Sequence, residues 1–597
     1  MNPLEVVPGA DPGTVAGPLS LSYASGLGGA AGNIGLNVNL TSAQTSAVSI
    51  DSATNTAIRL NNVTLDSGAG AFTLGNGTGS GASAFAITLG GATNQTHTWS
   101  NNSTNTATIN NDVLFGLGGG GIHALQFTGS GNWDVKNNLT VSNAATTGVQ
   151  FSLQKTGAGT LTLSGGGSLK AGPVAFGSVT TGFGAVFKAG ITNITGGNYA
   201  FNSSELVVGG LDVAGTNTQL NLSNAGAITG VSWLSIGRGN GAGAVSSNLT
   251  LNNTSSVAAN DMSGGFNAGN TSTAPKGVVT LNDSSTLTVV SNVQLGESVN
   301  SDITLNINGT STFSQTSTTG GSTRLGMANG AKGTINVGGG TANFQRDLVL
   351  GSGGTGSGKL VLNSGIVNMA STVERWLIVG NAAGASGQID VNGGELRLNT
   401  NTDIRMGVGA VAATGVVNLN AGAITGYVGN GTGGFSTTSL VDMQNQGAAS
   451  SSNTFNLNGG TLTIGQVIST ATTGTRTFNF NGGTLKAAGA NVNFFNIGTG
   501  SATASVKSGG AIIDSNGFDV TVVNSLVDGT GGGGLTKNGS GTLTLSGTAS
   551  TYTGATNVNV GTLYINGNQT AANGAVTVAS GATLGGTGTI GGATTIQ

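Results

Sequence analysis

The charged residues of this sequence are few, and they are the natural place to look for chemistry. Only 7% of the 597 residues are Asp, Glu, Lys or Arg, and the formal net charge is −3. Carboxylates that converge with a basic residue on one face can bind a sugar or cleave a glycosidic bond. The densest charged group comprises Glu374, Arg375, Asp390, Glu395, Arg397, Asp403 and Arg405.

This group is dense enough for neighbouring repeats to bring its members together. The candidates for a glycan-binding face are Glu374, Arg375, Asp390, Glu395 and Arg397. The alternative is a solvated patch of ion pairs, which is the commoner state of charges on a protein surface.

The residues expected of an enzyme are missing from the rest of the sequence. Glu395 and Arg397 alternate with leucines, so we expect both on the solvent side of a strand, where a carboxylate keeps an ordinary pKa and is a poor general acid. There is no cysteine, and the two histidines, His97 and His123, are 26 residues apart and could stack. Two histidines without nearby acids are a poor metal site. The sequence therefore predicts a protein that is not an enzyme and has no catalytic, cofactor or metal site.

Composition also bears on partners and location. The low charge is unlike the basic surface of a nucleic-acid-binding protein. No apolar run approaches the roughly 18 residues of a membrane-spanning helix. Residues 1–18 contain four of the six prolines but no basic or apolar region of a signal peptide. We expect no nucleic acid, no membrane-spanning segment in this chain, and a signal and an anchor that lie outside this sequence.

The elements that position these residues are repeats. Residues 348–370, LVLGSGGTGSGKLVLNSGIVNMA, combine a short apolar strand closed by glycine, a flexible turn and two further strands. The closing glycine recurs with a mean interval of about 28 residues, which is typical of a solenoid. Its positions are Gly209, Gly237, Gly269, Gly296, Gly326, Gly351, Gly380 and Gly407. Short strands joined by Gly, Asn and Ser corners predict an all-β fold, a right-handed parallel β-helix of one chain with about 28 residues per coil.

The repeat pattern also predicts what faces inward and what lines a corner. The residues expected in the core of adjacent coils are Val349, Leu360, Leu362, Ile366, Ile378, Ile389 and Val391. The residues expected to form a stacked side-chain amide ladder at one corner are Asn363, Asn392, Asn458 and Asn481. Asparagine also tolerates the left-handed backbone that a tight corner needs.

Changes in composition and repeat pattern divide the chain into five segments. We expect a proline-containing leader or loose cap at 1–18, N-terminal solenoid coils with irregular loops at 19–203, and a regular β-helix array at 204–430. Coils of the NGGTL type follow at 431–533, and 534–597 hold a distinct repeat with an incomplete final coil.

The repeat at residues 534–568, GLTKNGSGTLTLSGTASTYTGATNVNVGTLYINGN, is the most specific stretch. It resembles the autotransporter-associated β-strand repeat of bacterial passenger domains. The residues that fit are Leu535, Lys537, Gly539, Gly541, Thr542, Leu543, Leu545, Gly547, Tyr552, Thr553, Gly554, Thr556, Gly561, Thr562 and Leu563. Residues 153–165 match the first half, with Lys155 in the place of Lys537.

The resemblance implies a secreted or surface-exposed bacterial β-helix of the autotransporter-passenger kind. It favours a structural or adhesin-like role, a stiff rod that mediates surface contact or export. The partners it implies are extracellular glycans or a host or neighbouring cell surface, with a C-terminal barrel or other anchor outside this sequence. The alternative is a β-helix that binds or degrades polysaccharide. Tyr552 and Tyr564 could stack on sugars, but packing is the more common role of such aromatics.

Overall fold

A computed structural model describes most of the chain, and within these ranges the fold is all-β, with no helix. The described residues are 4–5, 19–23, 36–51, 58–75, 87–89, 95–115, 122–141, 150–169, 172–176, 179–210, 217–238, 246–266, 274–369, 374–399, 402–408, 412–428, 434–446 and 449–597. No described element is therefore a helix that could cross a membrane.

The chain divides into two compact units, Met1–Val289 and Val290–Gln597. The strands of the first unit are Leu4–Glu5, Leu19–Tyr23, Leu36–Leu40, Val48–Asp51, Ile58–Leu65, Phe72–Leu74, Ile87–Leu89, Gln95–Asn101, Ala107–Ile109, Val113–Phe115, Ile122–Thr128, Trp133–Val135, Leu139–Val141, Gln150–Lys155, Thr160–Leu163, Gly167–Ser168, Gly172–Phe176, Val179–Phe187, Gly190–Ile194, Asn198–Gly210, Asn217–Leu222, Ala227–Arg238, Ser246–Leu251, Ser256–Gly264, Lys276–Leu281 and Thr286–Val289.

The strands of the second unit are equally short. They are Val293–Leu295, Asp302–Asn308, Thr312–Gln315, Thr323–Leu325, Lys332–Phe344, Leu348–Leu350, Ser357–Met369, Arg375–Val379, Ser386–Val391, Glu395–Leu398, Thr402–Met406, Thr414–Leu419, Ala423–Gly426, Leu440–Asp442, Ser452–Leu457, Thr461–Ile464, Gln466–Ile468, Thr475–Phe480, Thr484–Ala487, Asn491–Asn496, Ala502–Val506, Ala511–Asp514, Val520–Val522, Leu526–Asp528, Leu535–Asn538, Thr542–Leu545, Thr556–Val558, Thr562–Ile565, Asn568–Gln569, Val576–Val578, Thr583–Gly585, Thr589–Ile590 and Thr594–Ile596.

Nearly all described strands pair in parallel with the equivalent strand one coil later. In the second unit, for example, Leu348–Leu350 pairs with Thr323–Leu325 on one side and with Arg375–Val379 on the other. The first unit has two antiparallel pairs, Leu19–Tyr23 with Leu36–Leu40 and Gly172–Phe176 with Val179–Phe187. The predicted parallel β-solenoid with about 28 residues per turn is confirmed.

Three stacks of strands organise the middle of the second unit. Stack 1 contains Thr323–Leu325, Leu348–Leu350, Arg375–Val379 and Thr402–Met406. Stack 2 contains residues 357–362, Ser386–Val391, Thr414–Leu419, Ser452–Leu457 and Thr475–Phe480. Stack 3 contains residues 366–369, Glu395–Leu398, Ala423–Gly426, Thr461–Ile464 and Thr484–Ala487. The long strand Ser357–Met369 thus takes part in both stack 2 and stack 3.

The core consists of aligned rows of apolar side chains, one from each coil. In stack 2 the register joins Leu360, Ile389, Val417, Phe455 and Phe478, and all five are fully buried. Phe455 and Phe478 stack with their ring centroids 4.9 Å apart. Burial of apolar surface between coils is what makes each coil depend on its neighbours.

Three residues of the predicted core differ from expectation. Ile366 is only half-buried, and Val367 occupies the core instead, because the corner before it shifts the alternation by one residue. Val349 and Ile378 are 6% exposed, but their row in the register also holds Arg324 and Arg405. Since strand residues alternate between faces and the flanking leucines are buried, this row lies on the outer face of stack 1.

The coil-closing glycines have a clear conformational reason. Every one that lies in the described residues has a positive φ, for example 72° at Gly351, a backbone that favours glycine. A Cβ on Gly351 would lie 2.5 Å from the carbonyl oxygen of Ser386 in the next coil. Gly269 lies outside the described residues.

The predicted segment boundaries stay predictions. All four prolines of residues 1–18 lie outside the described residues. Within that segment, Leu4–Glu5 forms a strand parallel to Ile50 and Asp51, so these two residues do contribute a rung.

Candidate functional site

The structure does not bring the residues of the charged group onto one face. Arg375, Asp403 and Arg405 lie in stack 1, with Glu374 directly before it, whereas Asp390 lies in stack 2 and Glu395 and Arg397 lie in stack 3. Closeness in sequence is misleading here, because a coil has several sides and two coils distribute their side chains over all of them.

The stack 1 group is a compact network around Arg405. Its guanidinium Nη2 donates to Glu374 Oε1 at 2.7 Å and to Asp403 Oδ2 at 2.9 Å. The same guanidinium lies 4.1 Å from the centre of the Trp376 ring. Trp376 Nε1 in turn donates to Glu374 Oε1 at 3.0 Å. Two carboxylates, one arginine and one indole thus meet on the outer face.

The two carboxylates of this group have different environments. The Asp403 side chain is 7% exposed and that of Glu374 is 56% exposed. Burial raises the pKa of Asp403 to about 6, although the hydrogen bond and charge of Arg405 act against that rise. A raised carboxyl pKa is found at binding and catalytic sites and also in buried structural ion-pair networks.

Arg375 donates its hydrogen bonds to backbone carbonyl oxygens. Its Nε donates to the carbonyl oxygen of Gln345 at 3.2 Å and its Nη2 to that of Thr318 at 2.9 Å. Arg346, one coil earlier, also donates to Thr318 O, at 3.3 Å. These contacts assign Arg375 to holding loops at the edge of stack 1.

Asp390 begins a polar row on the outer face of stack 2. It accepts from Lys359 Nζ at 2.7 Å, from Gln388 Nε2 at 2.9 Å and from Asn418 Nδ2 at 2.7 Å. Burial acts to raise its pKa, but these hydrogen bonds outweigh it and the pKa is lowered. Asp390 therefore stays ionised as the end of a chain of amides that continues through Asn456.

Glu395 is not the open, ordinary carboxylate that we expected. Its side chain is 22% exposed and accepts from Arg397 Nε at 2.8 Å and from the Tyr427 hydroxyl at 2.7 Å. Burial acts to raise its pKa, but these two hydrogen bonds prevail and lower it. A carboxyl with a lowered pKa is a still poorer general acid.

The two histidines are not stacked. In the register, His97 pairs with Leu125, and His123 pairs with Gln95. His97 is fully buried, and its Nδ1 lies 2.9 Å from Asn61 Oδ1. No group of three His, Cys, Asp or Glu side chains that could hold a metal ion occurs among the residues that the structure describes.

The residues of the C-terminal repeat motif build the coil. Its leucines, Leu535, Leu543, Leu545 and Leu563, are at most 2% exposed. Tyr552 is 2% exposed and its hydroxyl lies 2.7 Å from Thr556 Oγ1, as the packing interpretation predicts, whereas Tyr564 is 42% exposed. The glycines allow close approach, since a Cβ on Gly541 would lie 2.0 Å from the carbonyl oxygen of Phe518.

The motif lysine is buried in both copies of the repeat. Lys537 is fully buried, and its Nζ donates to the carbonyl oxygens of Gly539 at 2.7 Å, Asn538 at 2.9 Å and Val560 at 3.0 Å. Lys155, 1% exposed, donates to the carbonyl oxygen of Gly157. Burial lowers the pKa of each lysine to about 8. The lysine therefore caps backbone carbonyls inside the coil and is not available to a ligand.

The predicted asparagine ladder exists and is longer than expected. Each side-chain Nδ2 donates to the Oδ1 of the preceding coil: Asn392 to Asn363 at 2.9 Å, Asn420 to Asn392 at 2.8 Å, Asn458 to Asn420 at 2.8 Å and Asn481 to Asn458 at 3.1 Å. None of these asparagines has a positive φ; the glycine one or two residues later does, as at Gly394 with 68°. The left-handed corner thus belongs to glycine, and asparagine supplies the ladder.

Sequence reasoning missed Trp376, the aromatic member of the stack 1 group. The available signal was its position four residues before the coil-closing Gly380, with Asp403 about one coil later. That spacing places an indole and a carboxylate side by side in adjacent strands, as the register shows.

In the comparison with known proteins, one family model matches two short stretches of the chain. The passenger-associated-transport-repeat model matches residues 153–172 and 535–565. These are the two stretches in which the repeat motif and its buried lysine occur. No curated protein and no solved structure matches the chain.

Proposed function

We propose that this autotransporter-passenger-like β-helix protein is a structural, adhesin-like passenger of a bacterial surface, and that it acts without catalysis. A stiff β-solenoid would present its outer faces to extracellular glycans or to a host or neighbouring cell. In this proposal the protein is extracellular or surface-bound, and surface contact or export is its task.

The observation that carries the proposal is how the matched repeats use their residues. Their leucines, their motif lysines and Tyr552 are buried inside the coil. Only 7% of the residues of the whole chain are charged, so its outer faces carry few charges. A repeat of this kind supplies stacking and length, which a scaffold needs, and leaves contact to its outer faces.

Surface location and contact can be tested together. Intact cells that produce the protein are probed with antibody against the folded chain and treated with external protease, while beads coated with purified protein are tested for binding to cells. We expect labelling and proteolytic release from intact cells and retention of the beads. Protein that external antibody and protease cannot reach would contradict the proposal.

The second candidate function is the binding or degradation of polysaccharide. It is favoured by the stack 1 group, where Asp403, with its pKa raised to about 6, lies in one network with Glu374 and Arg405. Purified protein is assayed for turnover of pectin, alginate and neutral polysaccharides, with Asp403→Asn and Glu395→Gln as paired variants. We expect no turnover. Turnover that either variant abolishes would replace the scaffold role with an enzyme, and would locate its site.

A further inference from the structure

The four tryptophans of the chain fall into two classes. Trp99 and Trp133 are buried and pack against Phe127, with ring centroids 5.7 and 5.4 Å away. Trp233 is 37% exposed, and Trp376 is partly exposed. Two tryptophans therefore serve the core, and two are available at the surface.

The two surface tryptophans share a local sequence and a position in the coil. Residues 233–237 read WLSIG and residues 376–380 read WLIVG. In each, the leucine after tryptophan is fully buried and the final glycine has a positive φ, 66° at Gly237 and 80° at Gly380. Because neighbouring strand residues point to opposite faces, each indole lies on the outer face.

Each of these tryptophans has an aspartate as its partner in the next coil. The register pairs Trp233 with Asp261 and Trp376 with Asp403. The two aspartates are 6% and 5% exposed. We call each pair of tryptophan and aspartate a Trp–Asp step; one lies in each unit of the chain.

A second carboxylate and an arginine accompany the step in the first unit. Glu205 is 6% exposed, forms an ion pair with Arg238 and accepts from Ser235 Oγ at 2.5 Å. Ser235 is two residues after Trp233 and so lies on the same face. Arg238 also lies 5.3 Å from the ring centre of Phe266.

The step in the second unit has the same chemistry with different connections. Glu374 accepts from the indole of Trp376 and from Arg405, which joins it to Asp403. Arg405 covers one side of the Trp376 ring at 4.1 Å and holds it in place. A ring fixed in this way loses little conformational entropy when a ligand stacks on its remaining surface.

We propose that each Trp–Asp step is a subsite for one sugar ring of a neutral polysaccharide. An indole offers a flat apolar surface to the C–H face of a pyranose, and carboxylates accept hydrogen bonds from its hydroxyl groups. The arginine beside each step is already paired with carboxylates, Arg238 with Glu205 and Arg405 with Glu374 and Asp403, so neither is left to pair with the carboxylate of an anionic sugar such as those of pectin or alginate. The inference rests on the proposed contact with glycans and names the ligand class and residues for it.

The test uses the full-length chain and named probes. A soluble β-glucan, a galactomannan, polygalacturonate and alginate are titrated into the protein by calorimetry and by tryptophan fluorescence. The variants are Trp233→Ala, Trp376→Ala and their combination. Phe435→Ala, which removes an aromatic that is 37% exposed, as Trp233 is, and lies outside the steps, is the matched control. Thermal melting verifies that each variant is folded.

We expect a neutral polysaccharide to bind and the double variant to bind it about 30-fold more weakly, which is the size of effect that a central tryptophan contributes. Asp261→Asn and Asp403→Asn keep the tryptophan rings and should also weaken binding. These two variants test the steps even if a tryptophan variant does not fold. Binding that the double variant leaves unchanged, binding only of the acidic polymers, or no binding at all would overturn the inference.

Failure of the Trp–Asp steps can be distinguished from failure of the proposed surface role. If beads coated with the double variant still bind cells as wild type does, and no polysaccharide binds the purified protein, the Trp–Asp steps fail and the surface role stands. If the protein never reaches the cell surface, the surface role fails, while the titrations on purified protein still decide the steps.

Discussion

Few residues of this chain are charged, and several of those few are buried with specific partners. Lys155 and Lys537 donate to backbone carbonyls, and Asp403 pairs with Arg405 inside a network. Burying a charge is costly unless hydrogen bonds replace water, so the carbonyl oxygens around each lysine are a condition of its burial. The motif lysine is thus a structural residue whose partners are as necessary as the lysine itself.

Removing that lysine should leave its partners unpaired. In Lys537→Met the carbonyl oxygens of Asn538, Gly539 and Val560 lose their common donor in the interior. We expect a loss of about 1–3 kcal/mol in the free energy of unfolding, measured by chemical denaturation. Lys332→Met, at an exposed lysine, is the control and should change little. Equal effects of both substitutions would contradict the capping role.

The same lysines make stability depend on pH. Their folded-state pKa of about 8 lies below the ordinary value of 10.5, so the unfolded chain binds more protons between these values. The free energy of unfolding should therefore rise as pH rises from about 8. Burial raises the pKa of Tyr199 to about 12, and this tyrosine therefore lowers the free energy of unfolding as pH rises above about 10.

Melting temperatures at pH 7.5, 8.5 and 9.5 test this dependence. The difference between wild type and the double variant Lys155→Met, Lys537→Met should grow with pH in this window, because only wild type gains from releasing the two protons. A difference that is constant across the window would show that these lysines keep ordinary pKa values.

The coil is the element of this fold, and its corners were only partly predictable. The period, the closing glycines and the asparagine ladder follow from local rules of turn chemistry, and all three are present. Ile366 was assigned to the wrong face because a corner with a positive-φ glycine, Gly365, interrupts the two-residue alternation. How many residues a corner consumes depends on contacts with the previous coil, which one sequence does not contain.

The candidate site was less predictable than the coil. Sequence proximity suggested one charged face, whereas the coil distributes Asp403, Asp390 and Glu395 over three stacks. Partners such as Tyr427 for Glu395 come from the next coil, 32 residues away. The register between coils, not the local pattern, decides which side chains meet.

A closing glycine is the part of a coil least able to change. In Gly351→Ala the alanine must adopt the left-handed backbone conformation of the glycine. Its new Cβ would also lie 2.5 Å from the carbonyl oxygen of Ser386. We expect a loss of at least about 1–2 kcal/mol of stability, the cost of that conformation alone. Gly320→Ala is the control, since no neighbour lies within 4 Å of its added Cβ. Chemical denaturation of both variants should separate them clearly, and similar midpoints would count against the corner role.

At the scale of the molecule, the chain consists of two compact units, each a run of parallel coils. In a solenoid, stability comes mainly from contacts between neighbouring coils, so a run of coils does not require distant ones. We expect residues 290–597, produced alone, to give the circular dichroism spectrum of β-structure and a cooperative thermal transition. A fragment without such a transition, in the absence of aggregation, would show that the units depend on each other.

The asparagine ladder affects how readily the protein is degraded by deamidation. Asn392, Asn458 and Asn481 are each followed by glycine, the sequence in which asparagine deamidates most readily, because the glycine nitrogen attacks the side-chain amide. In the coil those nitrogens are occupied: Gly393 donates to Leu362 O at 3.3 Å, Gly459 to Leu419 O at 3.0 Å and Gly482 to Gly510 O at 3.0 Å. The ladder fixes the side-chain amide of each asparagine, and a hydrogen bond to a neighbouring coil fixes the glycine nitrogen that would attack it. Resistance of these asparagines to deamidation is therefore a property of the stacked state, and a coil that opens exposes its corner to irreversible damage.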